Sequence, residues 1–430
     1  MGTTKKAAIG FIFVTLLIDV MGFGLIIPVL PELISQLKGI PINKAATYGA
    51  FLLSAFAITQ FLFSPVIGNL SDRFGRRPVL LLSLFGFGID YIILALAPAY
   101  GWLFIGRVIA GVTGASFTTA TAYIADVSPD PTTRAKNFGM IGAAFGLGFV
   151  LGPALGGLLG EGWGVRAPFY AAAALCLMNC LYGYFLLPES LSKENRRPFD
   201  WRRANPFGSL KFLTQHPEIG GLAISFFLIY LGAQAVQSNW AYFTIYRFGW
   251  DARMVGISLT VVGVLVGGVQ AGLTRVVNPR IGNEKSIYLG LSLYTLGLVL
   301  FAFATQGWMM FLFLIPYCLG GICGPSLQSV VSGQVPSNQQ GELQGALTSL
   351  MSLTTVMGPL IMNGTFAYFT SDKAPVHFPG MHFLLGAFCI LLSLFIAAKV
   401  LGRAKKAGPG AAAGTGANPV VPEAPGEVVQ

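Results

Sequence analysis

Apolar residues run through this chain in stretches of about 20, the length of helix that crosses a bilayer core. Short charged or Pro/Gly-rich breaks separate them. Twelve stretches can be read, at 7–33, 46–69, 78–97, 101–125, 136–159 and 167–187, then 217–243, 253–274, 285–305, 307–331, 343–369 and 379–401. The break at 97–101 is short enough to make spans three and four a tight antiparallel pair. Lys5 and Lys6 before an apolar run imitate a secretion signal. That run is too long for one, carries Asp19, and leads into Pro28 and Pro31 without a small-residue cleavage site, so it reads as the first span.

One long polar segment, with Glu189, Lys193, Glu194, Arg196, Arg197, Asp200, Arg202, Arg203 and Lys211, divides the spans six and six. The expected organisation is a bundle over 1–188, a linker over 189–213, a second bundle over 214–402 and a Gly/Ala/Pro-rich disordered tail over 403–430. The halves echo each other: Gly139 and Gly152-Pro153 in span five match Gly345 and Gly358-Pro359 in span eleven, at identical spacing. The fold class is therefore an all-α membrane protein, with twelve transmembrane helices in two pseudo-symmetric six-helix bundles and a binding site between them near mid-membrane.

Composition agrees. Hydrophobic residues make up 54% of the 430 and charged residues only 10%, where a soluble domain carries about 25% charged. The net charge of +10 does not form the basic stripe with interleaved aromatics that nucleic acid would need. About 20 Lys and Arg fall on the side holding the linker and about six on the other. Positive-inside then puts both termini in the cytoplasm, with the protein multi-pass in the cytoplasmic membrane. Cys176, Cys180, Cys318, Cys323 and Cys389 all lie in apolar runs, against a disulfide framework or a zinc site. His216, His377 and His382 read as scattered surface residues near span ends, and the chain has no phosphate-binding loop or hydrolase elbow, so it is not expected to be an enzyme.

Three charges fall clearly inside spans, away from their ends, and read as buried: Asp19, Asp90 and Arg107. Charge inside a bilayer helix is costly and marks function by default. Asp90 and Arg107 both fall roughly 10 Å below the same edge of adjacent helices, which makes an ion pair reasonable, either functional or purely structural. Asp19 is deep in span one with no obvious partner. Burying a carboxylate makes its anion costly, which suits a group that must load and release a proton; the plainer alternative is an Asp facing a wet cavity or the backbone. The break after span two, Gly68-Asn69-Leu70-Ser71-Asp72-Arg73-Phe74-Gly75-Arg76-Arg77-Pro78, packs four charges into one turn. Gly68 and Gly75 are expected to turn the backbone there, with Pro78 in the first turn of span three. Asp126 should pair with Arg76 or Arg73, and Asp72 with the N-terminus of span eleven, whose dipole favours an anion; together with Arg77 these are the candidate gating residues. Span five carries Gly148, Gly152, Pro153, Gly156 and Gly157, small enough for close helix approach. The second half has no charge that reads as buried within its spans. Its polar candidates for contacting a lipophilic ligand are Gln234, Gln237, Asn239, Trp240, Gln270, Tyr294, Gln328 and Asn363, any of which equally suits helix–helix contact.

The turn after span two resembles the loop motif between the second and third helices of the major facilitator superfamily, and Gly148 through Gly157 resembles the span-five motif of that superfamily's antiporters. Nearly the whole chain, 7–401, is similar to the tetracycline-resistance group of drug:proton antiporters, most specifically over Ile18–Pro31, Gly106-Arg107, Arg247–Trp250 and Gln339–Gly345. The resemblance implies the major facilitator fold, a proton-coupled antiporter exporting a small amphipathic compound by alternating access, and proton coupling by Asp19, Asp90 and Arg107, and it places Gln270 where the group keeps a span-eight glutamine. Uptake of a nutrient by symport or facilitation is the alternative. It implies no cofactor beyond the proton gradient. The expected partners are a small molecule, protons and the bilayer, with no nucleic acid, and the chain is expected to act as a monomer. The group's span-eight histidine and span-nine aspartate correspond here to Val266 and Tyr294, which puts recognition of a metal–tetracycline chelate in question.

Overall fold

The computed structural model describes residues 2–114, 116–128, 130–201, 213, 217–336 and 339–407. Among them are twelve helices long and apolar enough to cross a membrane. Spans one to six are Gly2–Ile26, Ile42–Phe74, Arg76–Leu96, Tyr100–Val127 (interrupted at Gly114), Pro131–Trp163 and Ala167–Leu186. Spans seven to twelve are Pro217–Gln237, Ala252–Ile281, Asn283–Ala302, Gly307–Ser332, Gln340–Phe369 and Met381–Ala407. No strand occurs among the described residues.

The helices outrun the apolar stretches that announce them. Span two has 33 residues where the sequence predicts 46–69, because about 50 Å of helix overshoots a bilayer core of roughly 30 Å and its ends lie in polar surroundings. Gly68 is interior to that helix and does not turn the chain; the turn falls wholly on Gly75, at φ +105°. Two spans stop short instead. Span one ends at Ile26 and a separate helix, Leu30–Lys38, follows the Pro28 region; span seven ends at Gln237 and resumes as Trp240–Phe248 after a break at Ser238-Asn239. Span twelve continues to Ala407, past the predicted start of the tail; residues 408–430 lie outside the described residues, as does the linker over 202–212.

Because the spans alternate in direction, the turns at Gly75 and Gly282 share one face of the molecule with the linker (the linker face), and the turns at 96–100 and 302–307 share the other (the distal face). The two bundles meet through spans two and eleven and through spans five and eight. On the distal side these pairs touch at backbone distance. A Cβ on Gly256 would sit 2.4 Å from Pro153 O and 3.1 Å from Gly157 Cα. Four hydrogen bonds cross the boundary there and down to mid-membrane: Asn43 Nδ2 to Thr370 O (3.1 Å), Asn363 Nδ2 to Ala46 O (3.1 Å), Ser54 Oγ to Val356 O (2.7 Å) and Thr260 Oγ1 to Val150 O (3.2 Å). Towards the linker face spans five and eight separate. Gly142 and Gly146 lie two or three helical turns before Pro153 on the same face, and Gly267 one turn past Gly263; a Cβ on any of the three would meet nothing within 4 Å. The molecule is shut distally and open between its halves on the linker side.

The pseudo-symmetry reaches the backbone. Gly75 and Gly282, which join spans two to three and eight to nine, have φ/ψ of 105°/161° and 83°/160°. Gly152 packs on span one at Met21 and Gly24, and its counterpart Gly358 packs on span seven at Gln234.

Candidate functional site

Asp19 is fixed by the helix opposite it. Gly148, Gly152 and Gly156 recur every four residues, so they form one stripe along span five. A Cβ on them would lie 3.1 Å from Leu17 O, 2.7 Å from Met21 O and 2.1 Å from Leu25 O. Only glycine admits span one this closely, and the contact pins the turn that carries Asp19. Both Asp19 carboxyl oxygens are buried without a hydrogen-bond partner. Ser116, at the start of the second segment of span four, is the polar side chain beside them. Gly157, on the other face of span five, abuts Ala252 and Gly256 of span eight, so the antiporter-type motif serves two interfaces at once.

Asp90 and Arg107 form the ion pair that the short turn between spans three and four suggests. Asp90 is wholly buried and Arg107 nearly so. The guanidinium carbon lies 5.7 Å from the Tyr91 ring centre and 5.9 Å from that of Phe56. Aromatic faces replace part of the lost hydration of a cation. Gly106 makes room, since a Cβ there would be 2.7 Å from Asp90 Oδ1. Tyr91 links the pair to span one, its hydroxyl 2.8 Å from where a Cβ on Gly22 would be, within electrostatic reach of Asp19, Asp90 and Arg107.

At the linker face Arg76 is the centre of a second cluster. Its Nη1 donates to Asp72 Oδ1 (2.5 Å) and Ser71 Oγ (2.6 Å), and its Nε to Asp126 Oδ2 (3.2 Å). Asp72 is thus engaged by Arg76, four residues on. Arg77 donates to Tyr184 O (2.5 Å), and Arg73 is exposed beside the Phe74 ring.

Glu189 is the residue that sequence reasoning missed. Its carboxylate accepts the backbone N–H of Arg76 (2.8 Å) and of Arg77 (3.3 Å), capping the N-terminus of span three from 113 residues away. The linker then lies on the turn: Ser190 Oγ donates to Asp126 (2.9 Å), Arg197 N to Asp72 O (3.1 Å), and Asn69 Nδ2 to Asp200 O (2.6 Å). The signal available beforehand was an acid directly after a span-ending Pro188, in a chain with few acids to spare.

The polar candidates of the second half disperse. Gln234 is buried against Gly358. Gln237 and Trp240 line a cavity of about 40 Å³ under the distal seal, with Phe23, Ile27, Pro31 and Tyr242. Trp240 also donates its ring N–H to Ser258 Oγ (2.9 Å), and Asn239 is wholly buried and donates to Asn363 Oδ1 (2.9 Å). Tyr294 donates to the Tyr317 hydroxyl (3.3 Å). Gln328 is half-buried and donates to Gln344 Oε1 (2.7 Å). Gln270 is exposed within a single π-helical turn, Val269–Leu273, a distortion often found at functional positions. His382 corrects the surface reading of the histidines: it is fully buried among Phe243, Phe366 and Phe383, with Nδ1 3.1 Å from Pro379 O. His377 is exposed and meets the Tyr246 hydroxyl, and His216 lies outside the described residues.

These features can be set beside known proteins. The chain is 43% identical over 380 residues to the class C tetracycline resistance protein of Escherichia coli, covering 88% of this chain and 93% of that one. It is 37% identical to the class B protein of Escherichia coli, covering 92% and 95%. In three dimensions it matches the crystal structure of the human organic anion transporter MFSD10 (TETRAN) with a TM-score of 0.68 and 25% identity, over 91% of this chain and 99% of that one. Residues 12–359 match the family model described as Major Facilitator Superfamily, and with twelve spans, paired bundles and relatives of this length the chain belongs to the major facilitator superfamily, in the group of the tetracycline resistance proteins.

Proposed function

We propose that this chain is a proton-driven antiporter of the cytoplasmic membrane that exports a small amphipathic compound, with the linker face and both termini in the cytoplasm. Asp19 is the observation that carries the reading. A carboxyl in the middle of span one, with no counter-ion among the described residues and only the Ser116 hydroxyl as a polar neighbour, is poorly suited to a packing role, because an unpaired buried acid is costly. It suits a carrier that is protonated in one state and ionised in the other. Span one lies against span five, and span five meets span eight of the other bundle at its glycine face, so a change of charge at Asp19 reaches the boundary on which the halves rock. The Asp90–Arg107 pair lies beside Tyr91, which packs on span one at Gly22. The Arg76 cluster holds the linker-side ends of spans two to four as one unit.

Tetracycline is the first compound to test, since the relatives carry that name. Tyr294 donates a hydroxyl to Tyr317 where those exporters are expected to hold an aspartate, so the second half offers aromatic faces and hydroxyls rather than a carboxylate for a metal chelate. A neutral or cationic amphipathic compound fits that lining better. In proteoliposomes, an imposed pH gradient should drive uphill transport, and Asp19→Asn should abolish it while leaving binding and the folded state intact. Full uphill transport by Asp19→Asn removes the residue from the mechanism.

A further inference from the structure

Asn363 joins three helices at the distal side of the boundary between the halves. It is fully buried in span eleven. Its Oδ1 accepts from Asn239 Nδ2 (2.9 Å), and the Ser238 hydroxyl stands 3.1 Å from the same oxygen, dividing its one proton between it and Gln234 O (2.7 Å). Its Nδ2 donates across the boundary to Ala46 O in span two (3.1 Å). Ser238 and Asn239 are the two residues at which span seven is broken. That break lines the 40 Å³ cavity through Gln237, Ser238 and Trp240, facing span one. A single amide therefore ties the break in span seven, where a compound on its way out would pass, to the helix of the opposite half that must swing away.

We propose that Asn363 is a positioning residue for the distal gate: the broken segment of span seven orients its amide, and the amide latches span two, so that movement at the break releases the gate. This rests on the alternating-access reading. Asn43 Nδ2 to Thr370 O closes the same gate, but involves no residue of span seven, which makes it an internal standard. If the latch is one unit, loss of Asn239 frees the Asn363 amide and weakens its hold on Ala46 O. Removing both residues then costs no more than removing Asn363.

The test is a distance measurement between spin labels on Lys44→Cys and Lys373→Cys, which are exposed on the distal ends of the two halves, in the full chain in lipid nanodiscs. The five native cysteines lie within spans, and the chain without the two added cysteines sets the background. Opening appears as a longer distance whose share reports the equilibrium. Asn363→Leu should raise the open-to-closed ratio by roughly tenfold and Asn239→Leu by about threefold, the range expected for one or two buried hydrogen bonds. The double variant should match Asn363→Leu, whereas Asn43→Leu and Asn239→Leu together should multiply. An unchanged ratio in Asn363→Leu, or multiplying effects of Asn363→Leu and Asn239→Leu, overturns the latch. Should Asn363→Leu fail to fold, the smaller Asn363→Ala also loses the amide donor to Ala46 O, and it must still open the gate. If the parent itself shows one distance from acid to alkaline pH, the alternating-access reading fails and the latch with it.

Discussion

The two halves make the same turn and hold it by different means. At Gly75 the turn is clasped by charge: Arg76 on Asp72 and Asp126, and Glu189 on the first N–H groups of span three. At Gly282 the backbone angles are nearly the same, and there the hydrogen bonds include a neutral set, with Asn278 Nδ2 donating to Ser326 Oγ (2.7 Å) and Ile322 O (3.3 Å) in span ten. The same division runs through the spans. Asp19, Asp90 and Arg107 are all in the first half, while the second half buries amides, hydroxyls and paired tyrosines. The backbone repeat does not require the carboxylate cap and arginine cluster of the first turn, since Gly282 has nearly the same angles with Asn278 reaching span ten instead. On the proposed function, the charge buried in the first half serves proton carriage and switching, and the buried neutral groups of the second half serve to hold a compound and seal the distal face.

The widest gap between the halves should appear on removing one partner of a polar pair. Arg107→Ala leaves Asp90 buried and uncompensated and should cost about 3–5 kcal/mol, read as a large drop in thermal unfolding temperature. Asp90→Asn combined with Arg107→Gln should recover most of that. Tyr294→Phe, which removes the hydrogen bond to Tyr317, should cost only about 1 kcal/mol. Equal losses in Arg107→Ala and Tyr294→Phe would erase the distinction between a charged and a neutral half.

The distinction can also be reduced deliberately. Tyr294→Asp places a carboxyl in the neutral half and should cost about 2.5–3.5 kcal/mol of insertion energy. If the missing carboxylate is what turns a metal–tetracycline chelate away, this variant should gain transport of tetracycline in the presence of Mg²⁺ relative to the parent. No change in that ratio would assign the selectivity elsewhere in the second half.

A third comparison sets the closed side of the interface against the open one. Gly256→Ala must push spans five and eight apart, because its Cβ would overlap Pro153 O, and should cost about 1–3 kcal/mol of the distally closed state. Gly146→Ala, with nothing within 4 Å, should leave the state shown here untouched and hinder only the one in which the linker side closes. Distances between labels on the two faces separate these effects, and identical shifts in both variants would contradict the open cleft.

Much of this was legible in the residues. Span count, the six-plus-six division and the Asp90–Arg107 pair follow from run length, one polar linker and one short turn. Hydropathy misplaced the ends because helices such as Ile42–Phe74 continue beyond the bilayer, where polar residues no longer argue against helix. It also missed the break at Ser238-Asn239, which carries no Gly or Pro. Glu189, Tyr91 and Asn363 matter through partners 113, 69 or more and 317 residues away, which no local pattern records. His382 looked exposed because it stands at a span end, yet a shell of Phe side chains from three helices closes over it.

The smallest expected effect concerns the clasp itself. Glu189→Gln keeps the side chain's shape and one carbonyl acceptor for the Arg76 N–H, and removes the charge beside the positive end of span three together with the weaker 3.3 Å acceptor for the Arg77 N–H. It should cost about 0.3–1 kcal/mol at low ionic strength. Salt screens that interaction, so the deficit should shrink as salt is raised through the range where the Debye length falls below about 10 Å. Asn278→Ala at the corresponding turn of the second half removes neutral hydrogen bonds to Ser326 and Ile322, and its deficit should be independent of salt. Thermal unfolding of both variants and the parent, at low and high salt, reads the difference directly. A salt-independent loss in Glu189→Gln would mean that the first-half turn is held by hydrogen-bond geometry alone, and the contrast between a charged clasp and a neutral one would lose its physical basis.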